Sequence, residues 1–163
     1  AVDMDSLADY TTDTGATGLA SSSLKGWFMN LNQYGQGEQT VTSALIAGGM
    51  VAFSTNRPIA PAAGACAATL GEARGYWVNL LNGSGAIGVP GNSGGSRSSV
   101  FVGGGLPPSP VLASGVPIDG KPTTIVIGGA QRQSGESVSI SPQQLRPPIS
   151  MKRKRVYYYH SGN

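Results

Sequence analysis

The sequence predicts an all-β fold, and three observations predict it. Only 12% of the 163 residues are charged, while 25 glycines and 11 prolines punctuate the chain; that pairing favours short strands joined by turns over helices. The apolar stretches are brief, β-branched or alternating, and bounded by turn residues. A three-part pattern also occurs twice. TSALIAGGMVAFSTNRP from Thr42 is followed, after a gap, by RGYWVNLLNGSG from Arg74; PSPVLASGVPIDGKPTTIVIGGAQ from Pro108 is followed, after a gap, by RVYYYHSG from Arg155. Ser43 answers Ser109, Tyr76 answers Tyr157 and Gly83 answers Gly162. Each copy reads strand, turn, strand, insertion, aromatic strand, Gly, and a repeated strand unit of this kind suggests propeller blades.

Taken in order, residues 1–23 are polar and rich in Asp, Thr, Ser and Gly, and read as a linker or loop with at most one helical turn around Ser6 to Tyr10. Residues 24–103 form a first blade-like unit. LKGWFMNLN from Leu24 alternates enough for a strand with one packed face. Val41 to Ala47 and Met50 to Ser54 flank Gly48-Gly49, a two-residue hairpin signal that needs positive φ. Pro58 to Glu72 contains two prolines and three small-residue clusters, which suits an ordered but irregular insertion. A strand resumes over Gly75 to Leu81, a Gly/Ser loop follows, and SVFVG is a short apolar strand.

Residues 104–163 form the second unit. Asp119-Gly120 marks its hairpin, TTIVIGG is β-branched enough to be a buried strand, and Gln131 to Ser150 matches the first copy's insertion, with a short strand over Ser137 to Ser141. The last strand places Arg153, Arg155, Tyr157 and Tyr159 on one face and Lys152, Lys154, Val156, Tyr158 and His160 on the other. Its basic start and aromatic end fit a strand near a sheet edge, where lysines discourage edge-to-edge pairing. The net charge of +3 depends on this run, so no general nucleic-acid surface is expected.

The motifs tested for chemistry fail on their partners. GNSGG around Ser93 resembles the surroundings of a trypsin-type nucleophile, but the only histidine, His160, follows it, and Asn92 replaces the aspartate. GSGAIG over Gly83 to Gly88 satisfies GxGxxG, yet the following VPGNSGG cannot open a phosphate-binding helix. Asp3, Asp5 and Asp9 approach the later ligands of a DxDxDxxxD calcium loop, but Ala1 stands where the first ligand belongs. Cys66 is the single cysteine, which excludes an internal disulfide and a cysteine-based metal centre. Glu38, Glu72, Asp119 and Glu136 fall in separate turns and define no carboxylate pair. No catalytic, cofactor-binding or metal residue is therefore assigned. No signal peptide opens the sequence and no 18-residue apolar run could span a bilayer.

KGWFMNL from Lys25, GEQTVTSALIAGGMVAFSTNRP from Gly37, GYWVNLLNGSGA from Gly75, GGLPPSPVLASGVPIDGKPTTIVIGGAQ from Gly104 and ISPQQLRPPISMKRKRVYYYHSGN from Ile140 cover most of residues 24–163. In that order they resemble the C-terminal region of the PilY1/PilC family of type IV pilus proteins. The resemblance implies a modified β-propeller at the end of a longer protein, exported to the cell surface or pilus tip. There it would meet minor pilins, support pilus assembly, and contribute to attachment to host or abiotic surfaces. Several family members bind calcium through a DxDxDxxxD loop that Asp3, Asp5 and Asp9 do not reproduce, so calcium is not carried over. Relatives often pair the insertion cysteine with a second one; here Asn92-Ser93 occupies that region.

Two blades cannot close a ring of four to eight. The chain is thus expected to pair with the remainder of a larger propeller, or with copies of itself through open strand edges, as in an extracellular filament. A quinoprotein-type propeller enzyme is a third reading, but it would need charged, metal-binding groups that the sequence does not display.

Overall fold

A computed structural model describes residues 7–11, 24–89, 94–101 and 104–128, and the backbone of 143–144. The fold is all-β, and ten strands contain every regular element among these residues. β1 (Leu7–Asp9) and β2 (Gly26–Phe28) form a parallel pair. β3 (Gln39–Thr40), β4 (Leu45–Ala47), β5 (Met50–Arg57), β6 (Glu72–Asn79) and β7 (Ser98–Val100) form an antiparallel sheet. β8 (Val111–Ile118), β9 (Lys121–Ile127) and β10 (Gln143–Gln144) form a second antiparallel sheet.

The Leu7–Asp9 strand corrects the expectation of a loop or single helical turn at Ser6 to Tyr10. Its pairing partner is the strand at Trp27, and the Tyr10 amide extends the pair by donating to the Phe28 carbonyl at 2.9 Å. Local propensity yields here to a long-range ladder.

Both expected hairpins are present. Gly48 and Gly49 adopt φ of 55° and 79° between β4 and β5, and Asp119 and Gly120 adopt 50° and 73° between β8 and β9. Two consecutive positive φ values are what a type I′ turn requires, and aspartate is one of the few side chains that tolerates them. The strand expected over Val41 to Ala47 is shorter. β3 and β4 lie in series along the same edge of β5, separated by residues 41–44. There the Val41 amide donates to the Ser54 carbonyl at 3.1 Å, and the Thr42 hydroxyl accepts from the Ser54 amide at 2.9 Å. A side chain thus replaces a ladder bond that the irregular stretch cannot make.

The main sheet has two chemically different faces, set by strand alternation. Met50, Ala52 and Ser54 of β5 share a face with Asn79, Trp77 and Gly75, their partners on β6. Met50, Ala52 and Trp77 on this side join Ala86, Ile87 and Val126 in the apolar core, with Leu45 packed against it. Val126 brings β9 into that core, so the second sheet is anchored by one strand of its hairpin. TTIVIGG is accordingly buried only in part: Ile125 and Val126 are buried, whereas Ile127 is 37% exposed. β8 is half-exposed or exposed throughout.

Ser54 sits fully buried on the apolar face, and its Oγ has no hydrogen-bond partner. An unpaired buried hydroxyl costs free energy, so Ser54→Ala should leave the urea midpoint unchanged or raise it by up to about 1 kcal/mol equivalent. A loss above roughly 1 kcal/mol would show that the hydroxyl is satisfied in solution.

Residues 58–71 contain no strand, as expected of the insertion, but Glu72, expected to end it, opens β6 by pairing with Arg57, and that strand ends at Asn79 and not at Leu81. The Asn56 side chain holds its end by donating to the Leu70 carbonyl at 3.3 Å and to the Gly105 carbonyl. Cys66 is exposed within it. In the second copy, Gln143 and Gln144 pair with Val126 and Ile125. The strand expected at Ser137 to Ser141, the insertion from Gln131 and the basic-aromatic strand from Lys152 to His160 otherwise lie outside the described residues.

Candidate functional site: a polar network on the sheet

The opposite face of the main sheet carries Phe53, Thr55 and Arg57 on β5, paired with Tyr76, Arg74 and Glu72 on β6. Residues 29–38, which connect β2 to β3, supply Tyr34 and Glu38 to the same network. The buried Glu38 is its hub: the Thr55 and Tyr76 hydroxyls both donate to Oε1, each at 2.7 Å. Oε2 is buried without a hydrogen-bond partner. Phe53 stacks on Tyr76 with ring centroids 4.8 Å apart and planes 2° from parallel, which fixes the phenol beneath the carboxylate.

A chain of ion pairs extends from this hub. Arg74 Nε donates to Glu72 Oε1 at 2.8 Å, and Arg57 Nη2 lies 3.5 Å from Glu72 Oε2. The Arg74 guanidinium carbon is 3.1 Å from the centroid of the Tyr34 ring, and Nη1 donates to Ser98 Oγ at 3.3 Å. Tyr34 Oη is also 3.3 Å from Ser98 Oγ. Planar stacking plus directed N–H groups is a use of guanidinium that an ammonium could not reproduce.

Burial raises the Tyr76 phenol well above its ordinary value, and the hydrogen bond to Glu38 and the carboxylate's charge add to this. The sign of the pH effect follows. Above about pH 10 the unfolded phenol loses its proton while the folded one keeps it, so stability is complete below that pH and falls as pH rises. Urea midpoints measured from pH 8 to 11.5 should therefore decline less steeply in Tyr76→Phe than in the native chain, by at most about 1.4 kcal/mol per pH unit. Parallel slopes would exclude a buried, protonated Tyr76.

A second cluster joins the parallel pair to the main sheet. Arg97 is only 1% exposed; its Nε donates to the Gly83 carbonyl at 2.5 Å and its guanidinium lies 4.1 Å from the Tyr10 ring centroid. Trp27 Nε1 donates to the Leu80 carbonyl at 3.0 Å, and Tyr10 and Trp27 pack at 6.4 Å. Gly83 belongs to the GxGxxG-like stretch, which here is turn and sheet: Gly85 bridges both Val78 and Gly95, and Ile87 bridges Ser96.

Of the carboxylates singled out in the sequence, Glu38 and Glu72 share one face of the main sheet, and Asp9 lies apart from them in the parallel pair. Asp9 accepts from the Thr11 hydroxyl and, at 2.9 Å, from the Thr11 amide, and these bonds hold its carboxyl below the ordinary value. Asp3, Asp5, Ser93 and His160 lie outside the described residues. Among the described residues no group of three or more His, Cys, Asp or Glu side chains is placed to hold a metal ion. Sequence reading missed the hub and the buried arginine. Glu38 stands in a polar QGEQT stretch and Arg97 in a serine run, where nothing in the neighbouring residues signals burial.

The fold defines an all-β protein with a polar network on one face of its main sheet. No family model matches the chain, and no curated protein or solved structure matches it.

Proposed function

We propose that this chain is a non-enzymatic C-terminal module of a type IV pilus-associated tip protein or adhesin, displayed outside the cell, that supports pilus assembly and surface attachment. The observation that carries the reading is the ordered set of segments from Lys25 to Asn163 that resembles the PilY1/PilC family. The fold is compatible with it. β3 and β4 in series, then β5, β6 and β7, make a four-row antiparallel meander, which supports a blade-like reading. The second hairpin repeats the first one's type of turn. Partners on this reading are minor pilins at the tip and the remainder of a larger propeller chain. Immunogold labelling with an antibody to residues 24–163 tests the placement. Label on pili and their tips is expected, and label confined to the cell interior would refute it.

The second reading is a structural subunit that assembles into an extracellular filament through strand edges. The specific observation behind it is β8, half-exposed or exposed along its length, with Val111 and Leu112 at the surface beside Ile127 of β9. Electron microscopy of the purified chain separates the two: fibres support assembly, and a strictly monomeric species excludes it.

A further inference from the structure

We infer that residues 29–38 are a strap that opens as a unit, ahead of the sheet it covers, with Glu38 as its latch. The strap has little apolar grip. Asn32, Gln33, Gln36 and Gly37 are exposed, Met29 and Leu31 are only half-buried, the Asn30 amide donates to the Thr11 hydroxyl, and the side chains that face the sheet attach through the Tyr34 ring and hydroxyl and the Glu38 carboxylate. Apolar burial holds the other face of the same sheet, through Met50, Ala52 and Trp77.

Closure also carries two uncompensated costs. Glu38 places both of its hydroxyl donors on Oε1 and leaves Oε2 buried without one. Arg57, whose guanidinium occupies the space beside Gly35 that a Cβ there would need, has a buried Nε without an acceptor. A buried polar atom denied a partner loses its hydration and gains nothing in return. Opening returns both atoms to water, so the hydrogen bonds lost at Glu38 Oε1 are partly offset. Segments with few apolar contacts and solvent-facing backbone form the low-stability units of a fold. Opening would bare Arg57, Arg74 and Tyr76 around a single carboxylate, Glu72.

Hydrogen exchange on the whole chain at neutral pH tests this. Native strap amides at 31–37 should exchange ahead of those at 52–54 and 76–78. Glu38→Ala should speed strap exchange roughly 10- to 100-fold while the sheet amides change by less than about threefold. Gly35→Ala supplies a variant that leaves the latch in place. Gly35 has φ of 129°, and an added Cβ would stand 2.8 Å from Arg57 Nη1, so the closed strap is strained and the same selective acceleration is expected. Acceleration of strap and sheet together, or unchanged strap exchange in both variants, would overturn the inference.

Discussion

Trp77→Ala should destabilise the chain by about 3–5 kcal/mol, the usual cost of truncating a large buried aromatic side chain. Trp77 is 4% exposed and lies opposite Ala52, whose small side chain leaves room for the indole. It shares the core with Met50, Ala86, Ile87 and Val126, so the residues lining the resulting cavity come from separate strands and loops. Against the 5–15 kcal/mol that small domains commonly possess, the loss is a large fraction. Its effect should be uneven. The second hairpin reaches this core through Val126, so exchange protection across β8 and β9 should fall with the global loss or before it. Urea unfolding gives the magnitude and hydrogen exchange the distribution. A cost under about 1.5 kcal/mol would mean that the two sheets do not share a core around the indole.

Gly85→Ala is expected to be comparably severe for the opposite reason. An added Cβ would stand 2.2 Å from the Ser96 carbonyl carbon, 2.3 Å from its oxygen and 2.4 Å from the Arg97 nitrogen. All three obstacles are backbone, so relief requires separating the bridges that join Gly85 to Val78 and Gly95. Overpacking costs about 1–3 kcal/mol where side chains can yield, and this site should lie at or above that range. Gly64→Ala is the control, because its built Cβ meets nothing within 4 Å and only its φ of 83° opposes the change. Urea midpoints that fall equally for the two variants would show that the close approach at Gly85 is not what fixes residues 83–87 against 94–97.

The local half of this fold was legible in the sequence. Gly48-Gly49 and Asp119-Gly120 announce hairpins because few residue pairs accept two positive φ values in succession, and both turns form. The all-β class follows from the same residues, repeated along the chain. What sequence reading missed depends on distant partners. Leu7–Asp9 is a strand because Gly26–Phe28 accepts it. Thr42 completes a ladder bond that becomes visible only once Ser54 is opposite.

Glu38 shows why the polar network was illegible. A glutamate between glycine and glutamine in a polar loop predicts solvent, and it is buried because Thr55 and Tyr76 present hydroxyls from two neighbouring strands. Arg97 likewise gains its surroundings from Tyr10 and Gly83, which are distant in sequence. Sequence reading began this strand at Gly75, so strand alternation puts Glu72, Arg74 and Tyr76 on one face only once β6 is seen to start at Glu72. It cannot say that an acidic strap will cover them.

The proposed role is that of a pilus-associated module without catalytic activity of its own. Deleting residues 24–163 from the native protein, then counting surface pili and measuring attachment in the same cells, tests it most directly. The account predicts fewer surface pili and reduced attachment, both restored by supplying the intact protein. Unchanged piliation and attachment, with the shortened protein confirmed at the surface, would contradict it.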